Sequence, residues 1–129
     1  MAAKYLIDTS IVIKYLNQTL PAKGSAFIET FINSDCTISF ISEIELQVWD
    51  PPNPEDVLIY QQFVSQSQVI SINRGIIDQT IAIRKNYNLK IADAIIAATA
   101  IEERLLIADN DKDFTRVPDL KYLNPRVLS

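Results

Sequence analysis

The 129-residue chain contains no histidine, one cysteine and two glycines, and each scarcity removes a class of chemistry. Without histidine there is no Ser-His-Asp triad, no Cys-His pair and no imidazole-ligated metal. Cys36 alone forms neither an internal disulfide nor a cysteine zinc site. Gly24 and Gly75 are too few to write either glycine-rich phosphate cradle, G-x-G-x-x-G or G-x-x-x-x-G-K-[ST]. No apolar run approaches the roughly 18–20 residues that span a bilayer. The amino terminus lacks the charged stretch and long apolar core of a secretory signal. Together with the lone thiol this predicts a cytoplasmic protein.

What is present is an ordinary globular composition, 48% hydrophobic and 22% charged, at a length that suits one domain over residues 1–129. The chain holds 16 acidic residues against 12 basic ones, for a net charge of −4, which argues against a simple electrostatic grip on nucleic acid. The charge is unevenly spread. Residues 1–73 carry eight acids and three bases, residues 74–129 eight acids and nine bases, and no basic residue lies between Lys23 and Arg74. A polyanion would meet the later half, or a cation would have to offset the acids.

Short apolar runs alternate with helical periodicity. Strands are predicted at Lys4–Ile7, Thr37–Ile41, Val69–Ile72 and Leu105–Ala108, with a possible fifth at Lys121–Leu123. Helices are predicted over about 11–17, around Phe27–Ile32, and over about 43–49, 55–66, 75–88 and 91–104. Asn53 is placed to cap the helix after the Pro51–Pro54 interruption, with Pro54 at its first position. Nearly continuous apolar strands alternating with helices predict an α/β fold, a mostly parallel sheet of four or five strands covered on both faces.

In such sheets, sites form beyond the carboxyl ends of the strands. Asp8 closes the first strand, Ser42–Glu45 follows the second, and Asp109, Asn110 and Asp111 follow the fourth. Crowded carboxylates raise one another's pKa unless a cation compensates, and Mg²⁺, an oxygen-seeking ion, is the natural one. With no histidine, the chemistry open to these residues is metal-assisted hydrolysis of a phosphate ester. Plainer roles compete. Asp8 can cap the first helix. Ser42-Glu43-Ile44-Glu45 fits a capping box, in which Glu45 reaches back to the Ser42 amide. Asp93 suits a helix start, although it is the sole acid between Asp78 and Glu102 and would be costly if buried unpaired.

Asp109-x-Asp111-x-Asp113 is not an EF-hand loop, because Phe114 and Leu120 stand where that loop needs Gly and Glu. It also reads as a solvated turn with a helix cap. Trp49, Tyr60 and Phe63 suit core or dimer packing, with base stacking as the functional alternative. Arg84, Lys85, Lys90 and Arg104 form either a solvated helix face or a phosphate-facing patch.

Four segments, taken in order, resemble PIN-domain nucleases, especially VapC-type toxins. Tyr5-Leu6-Ile7-Asp8-Thr9-Ser10-Ile11-Val12-Ile13-Lys14-Tyr15-Leu16 resembles their opening motif, and Ile41-Ser42-Glu43-Ile44-Glu45-Leu46 their second. Ile91-Ala92-Asp93-Ala94-Ile95-Ile96-Ala97-Ala98-Thr99-Ala100 resembles the third, and Leu106-Ile107-Ala108-Asp109-Asn110-Asp111-Lys112-Asp113-Phe114 the fourth. The resemblance implies a three-layer α/β/α sandwich. It implies Mg²⁺- or Mn²⁺-dependent cleavage of single-stranded RNA, with the metal held at Asp8 and Asp93 and with Glu45 joining directly or through water. It further implies a homodimer, and a cognate antitoxin whose tail plugs the acidic groove. The fourth acidic position falls to Asp109 or Asp111, and Asp111 is taken as catalytic beside Asp8, Glu45 and Asp93. Two departures, Ala108 in place of the usual hydroxyl residue and Asn110 in place of an acid, support an alternative: a PIN-fold binding module with a weak or dead metal site.

Overall fold

A computed structural model describes residues 5–32, 36–102, 104–108 and 111–127, the side chains at 31, 111, 112 and 127 excepted. The elements run β1 (Tyr5–Ile7), α1 (Thr9–Leu16), α2 (Ala22–Ile32), β2 (Thr37–Ser39), α3 (Phe40–Val48), α4 (Asp56–Gln66), β3 (Gln68–Ile70), α5 (Arg74–Tyr87), α6 (Ile91–Ile101), β4 (Leu105–Ile107), α7 (Asp111–Phe114) and β5 (Tyr122–Leu123), with a closing 3-10 turn at Pro125–Val127.

Among the described residues the strands form two ladders, β1-β4-β5 and β2-β3, and every pairing is parallel. Tyr5 lies opposite Leu105 and Ile7 opposite Ile107, while Thr37 lies opposite Gln68. β2 packs alongside β1, so the two ladders make one layer. Alternation along three-residue strands divides the core. Leu6 and Leu106 face α5 and α6, among Ile76, Ile83, Ala94, Ala97 and Phe114. Ile7, Ile38 and Ile107 face the other way, against Ile11, Val12, Ile28, Leu46, Tyr60 and Val64 from α1 to α4. Helices therefore cover both faces, as the apolar strands require, and the three-layer α/β/α architecture follows.

Side-chain caps open α3 and α5. The Asn73 side chain accepts from the Ile76 amide at 2.9 Å and opens α5. Asn53 accepts from the Glu55 amide at 3.2 Å in the turn before α4, but the helix begins at Asp56 with Glu55 at its N-cap and no side-chain cap bond, so the expected Asn53 cap with Pro54 at the first position is not formed. The second strand is shorter than its β-branched and aromatic composition predicts. The Ser39 hydroxyl accepts from the Ile41 amide at 3.2 Å and starts a helix at Phe40, so Phe40 and Ile41 leave the sheet and pack against the α5–α6 side. Gly24 is needed for packing: a Cβ there would run into the Pro125 carbonyl, so α2 and the final turn approach closely only because the side chain is missing.

Candidate functional site

Parallel pairing brings the carboxyl ends of the strands to a common rim, and three acids are delivered there by different elements. Asp8 follows β1 directly, and its amide donates to the Ile107 carbonyl at 2.9 Å, extending the ladder by one bond. It occupies the N-cap position of α1, yet its side chain makes no bond to the helix backbone. The buried carboxylate instead accepts from the Ser10 hydroxyl at 2.6 Å. Simple helix capping therefore does not account for this acid.

The capping-box reading of Ser42 and Glu45 also gives way. α3 begins two residues before Ser42, which leaves Ser42 inside the helix and fully buried. Its hydroxyl lies 2.8 Å from the Thr9 hydroxyl, and Thr9 also lies 2.6 Å from Glu45 Oε1. Thr9 has one proton and a carboxylate can only accept, so Thr9 donates to Glu45 and the Ser42 proton completes the contact between the hydroxyls. This buried chain ties the start of α1 to α3 and fixes one oxygen of Glu45. The cap of α3 is Ser39 rather than Ser42, and Oε1 of Glu45 is engaged by Thr9, so the local box is not formed.

Asp93 sits in the first turn of α6, where the helix dipole favours an anion. Its pKa is nonetheless raised, first by burial and then by the fields of Asp113 and Glu45, with Lys90 opposing. Asp93, Glu45 and Asp113 thus lie in one electrostatic neighbourhood. Asp113 was not singled out by sequence. It lies on α7 one residue before Phe114, whose ring is buried, and its partner Arg116 stands 3.9 Å away. Burial of Phe114, Val117 and Leu120, at three-residue spacing, is the sequence signal that would have found it. The Asp111 carboxylate, Asp109 and Asn110 lie outside the described residues.

The basic residues do not make one patch. Lys90 neighbours the acids. Arg84 donates to the Leu89 carbonyl at 2.6 Å, and Arg104 precedes β4, at the opposite end of the sheet. Tyr60 is core, with its hydroxyl donating to Asn17 at 3.1 Å, and Phe63 packs against the same cluster. Trp49 stacks on Tyr60 with centroids 5.1 Å apart and planes 12° apart.

Among the described residues no three acids come within ligating reach of one ion. The donor set still fits a hard divalent cation. It consists of oxygens only, Asp93 carries a repulsion that a cation would relieve, and Mg²⁺ commonly uses one or two carboxylates with water and substrate filling the rest.

The same repulsion predicts a stability effect. A raised folded-state pKa favours the protonated acid, so the contribution of Asp93 to stability is full at low pH and is lost as pH rises through its folded pKa. Asp93→Asn is expected to raise the metal-free melting temperature by a few degrees at neutral pH, with the difference closing toward acid. Thermal scans in chelator across pH check this, and a variant less stable than wild type at neutral pH would contradict it.

The PIN domain family matches residues 5–120. A search of curated proteins returned no significant match. Among solved structures, a chain of the toxin–antitoxin complex from Klebsiella pneumoniae is similar at 28% identity and TM-score 0.75, covering 95% of this chain and 98% of that one. A chain of VapBC2 from Rickettsia felis, bound to a DNA fragment from the promoter, is 25% identical with TM-score 0.77, covering 93% and 97%. DNA-bound VapBC from Salmonella typhimurium, at 21% identity and TM-score 0.79 over 95% and 98%, shares the fold. The parallel α/β/α sandwich is that of the PIN class of domains. The chain belongs to the PIN domain family. No helix among the described residues is long and apolar enough to cross a membrane.

Proposed function

We propose that this protein is a single-domain, divalent-metal-dependent endoribonuclease that cuts phosphodiester bonds in single-stranded RNA, and that it is the toxin of a toxin–antitoxin pair. The observation that carries the reading is the Thr9 link. It holds Glu45 at the rim where Asp8 ends its strand, in the field that Glu45 and Asp113 share at Asp93. Asp8 and Asp93 are the residues that would hold Mg²⁺ or Mn²⁺. Asp8, Glu45 and Asp93 form the catalytic set with a fourth acid, for which sequence offers Asp111 and the field at Asp93 adds Asp113 as a second candidate.

A bound divalent ion supplies charge neutralisation for the phosphate and acidifies water. Glu45, with Oε1 fixed by Thr9, has its second oxygen to accept a proton from a water aligned on phosphorus. Lys90 and Arg116 lie beside the acids and temper their repulsion of the RNA backbone.

The acidic rim suits a basic antitoxin segment, in keeping with the complexes in which the similar chains occur. A homodimer is supported by an apolar cleft of about 240 Å³ among Phe40, Ile72, Ile81 and Ile91, the last three exposed by half or more. The alternative, a PIN-fold binding module, has in its favour Ala108 and the lack of a three-acid group among the described residues.

The test compares a single-stranded RNA with the DNA of the same sequence, each with Mg²⁺ or with chelator. RNA cleavage that needs the cation and returns when it is restored is the expected result. Cleavage undiminished by chelator would sink metal dependence, and equal cutting of DNA would sink the substrate assignment. Absence of cleavage together with absence of calorimetric Mg²⁺ binding would favour the binding module.

A further inference from the structure

A cleft of about 430 Å³ opens directly beside Glu45, lined by Thr9, Ile13, Glu45, Val48, Trp49 and Asp50. Building on the ribonuclease reading, we propose that this cleft is a nucleobase subsite, which takes the base adjacent to the scissile phosphate, stacked on Trp49 with its edge toward Asp50.

Four observations carry the assignment. The first is continuity: Thr9 and Glu45 belong both to the cleft and to the acidic rim, so its occupant is covalently close to a phosphate placed at the rim. The second is charge. Two carboxylates, those of Glu45 and Asp50, repel a phosphate but accept from N–H groups, so the cleft favours a base over the backbone. Guanine fits best, because its neighbouring N1–H and N2–H donors match the two oxygens of one carboxylate. Uracil fits worst, because it offers one donor between two carbonyl oxygens.

The third is rigidity. Trp49 is already stacked on Tyr60, and Tyr60 is buried and tied to Asn17. The indole is therefore a fixed plate that loses little freedom when a base joins the stack. It remains partly open and forms the wall between this cleft and a second one lined by Gln47, Val57 and Gln61. The fourth is exposure: Val48, at the mouth, is 75% exposed, apolar surface that a base would cover. The volume lies in the range of small-molecule sites, roughly 300–1,000 Å³, and accommodates one nucleoside rather than a folded segment.

Trp49 is the only tryptophan in the chain, so the emission reports only the two clefts that it separates, and the abasic RNA tells base stacking from other binding there. The experiment is a single-turnover stopped-flow measurement on the wild-type protein in excess over single-stranded RNA with Mg²⁺, with product assayed in the same samples. Emission is expected to fall as RNA loads and recover as product leaves, most strongly with guanine next to the cut. An abasic nucleotide at that position is expected to abolish the fall. Trp49→Ala should raise KM by roughly 5–100-fold, the span that one stacked base sets, with a much smaller change in kcat, and Trp49→Phe should recover most of the loss.

Cleavage without an emission change, or with the same change on the abasic RNA, would overturn the subsite and leave the nuclease reading standing. An emission change produced by a basic peptide and not by RNA would assign the cleft to a protein partner and overturn the proposal as well. No cleavage with any divalent cation would overturn both readings.

Discussion

Asp8→Asn is expected to lower RNA cleavage by about 10³-fold at saturating Mg²⁺, the loss that follows removal of a charge aimed at the reacting phosphate. The substitution is close to isosteric at a position only 6% exposed. Its structural cost is small, because the Asp8 side chain makes no cap bond to α1. The Ser10 hydroxyl, which donates to the carboxylate at 2.6 Å, can donate equally to an amide oxygen. The change therefore removes charge while retaining shape. Cleavage rate, Mg²⁺ titration and thermal midpoint should be measured together. A rate within tenfold of wild type, with the midpoint unchanged, would place the chemistry elsewhere.

Phe114→Ala should have the largest effect on stability. The ring is 1% exposed, lies in the core on the α5–α6 side, and stands 6.5 Å from the Tyr122 ring of β5. Truncating a buried phenylalanine costs about 3–5 kcal/mol, a large share of the roughly 5–15 kcal/mol that holds a typical domain together. The same ring anchors α7, which carries Asp113. Activity should therefore fall even at temperatures where the variant remains folded. Urea denaturation paired with cleavage assays tests both parts, and a loss below about 1 kcal/mol would show that α7 does not depend on this ring.

Much of the fold was legible because the strands are short, apolar and separated by helical periods. All five were expected within two residues of their observed bounds, and the parallel order followed from the alternation. Composition failed at Phe40 and Ile41, where two good strand formers start a helix because Ser39 caps it. Asp8 at the end of β1 could be read directly, since the position follows from topology. Glu45 could not be separated from a local cap, because its partner Thr9 lies 36 positions away and only the fold brings them together. Asp113 was obscured for another reason. The acids at 109, 111 and 113 alternate in sequence without marking one of them, and only the fold, which sets Asp113 on the short helix Asp111–Phe114, brings its field to Asp93. The aromatic residues needed tertiary packing to be sorted, since nothing in the local pattern distinguishes Trp49, partly open, from Tyr60, buried.

The pairing of β1 with β4 has a consequence for how the protein is made. Tyr5 finds its neighbour Leu105 a hundred residues later, and the Asp8 amide waits for the Ile107 carbonyl. Contacts that distant form late, because the entropy of closing so long a loop is lost before any bond compensates for it. On the ribosome, the first strand therefore stays without its partner until the hundred residues up to β4 have emerged. A translation product that stops short of β4 would carry the opening acid without the ladder that sets its position.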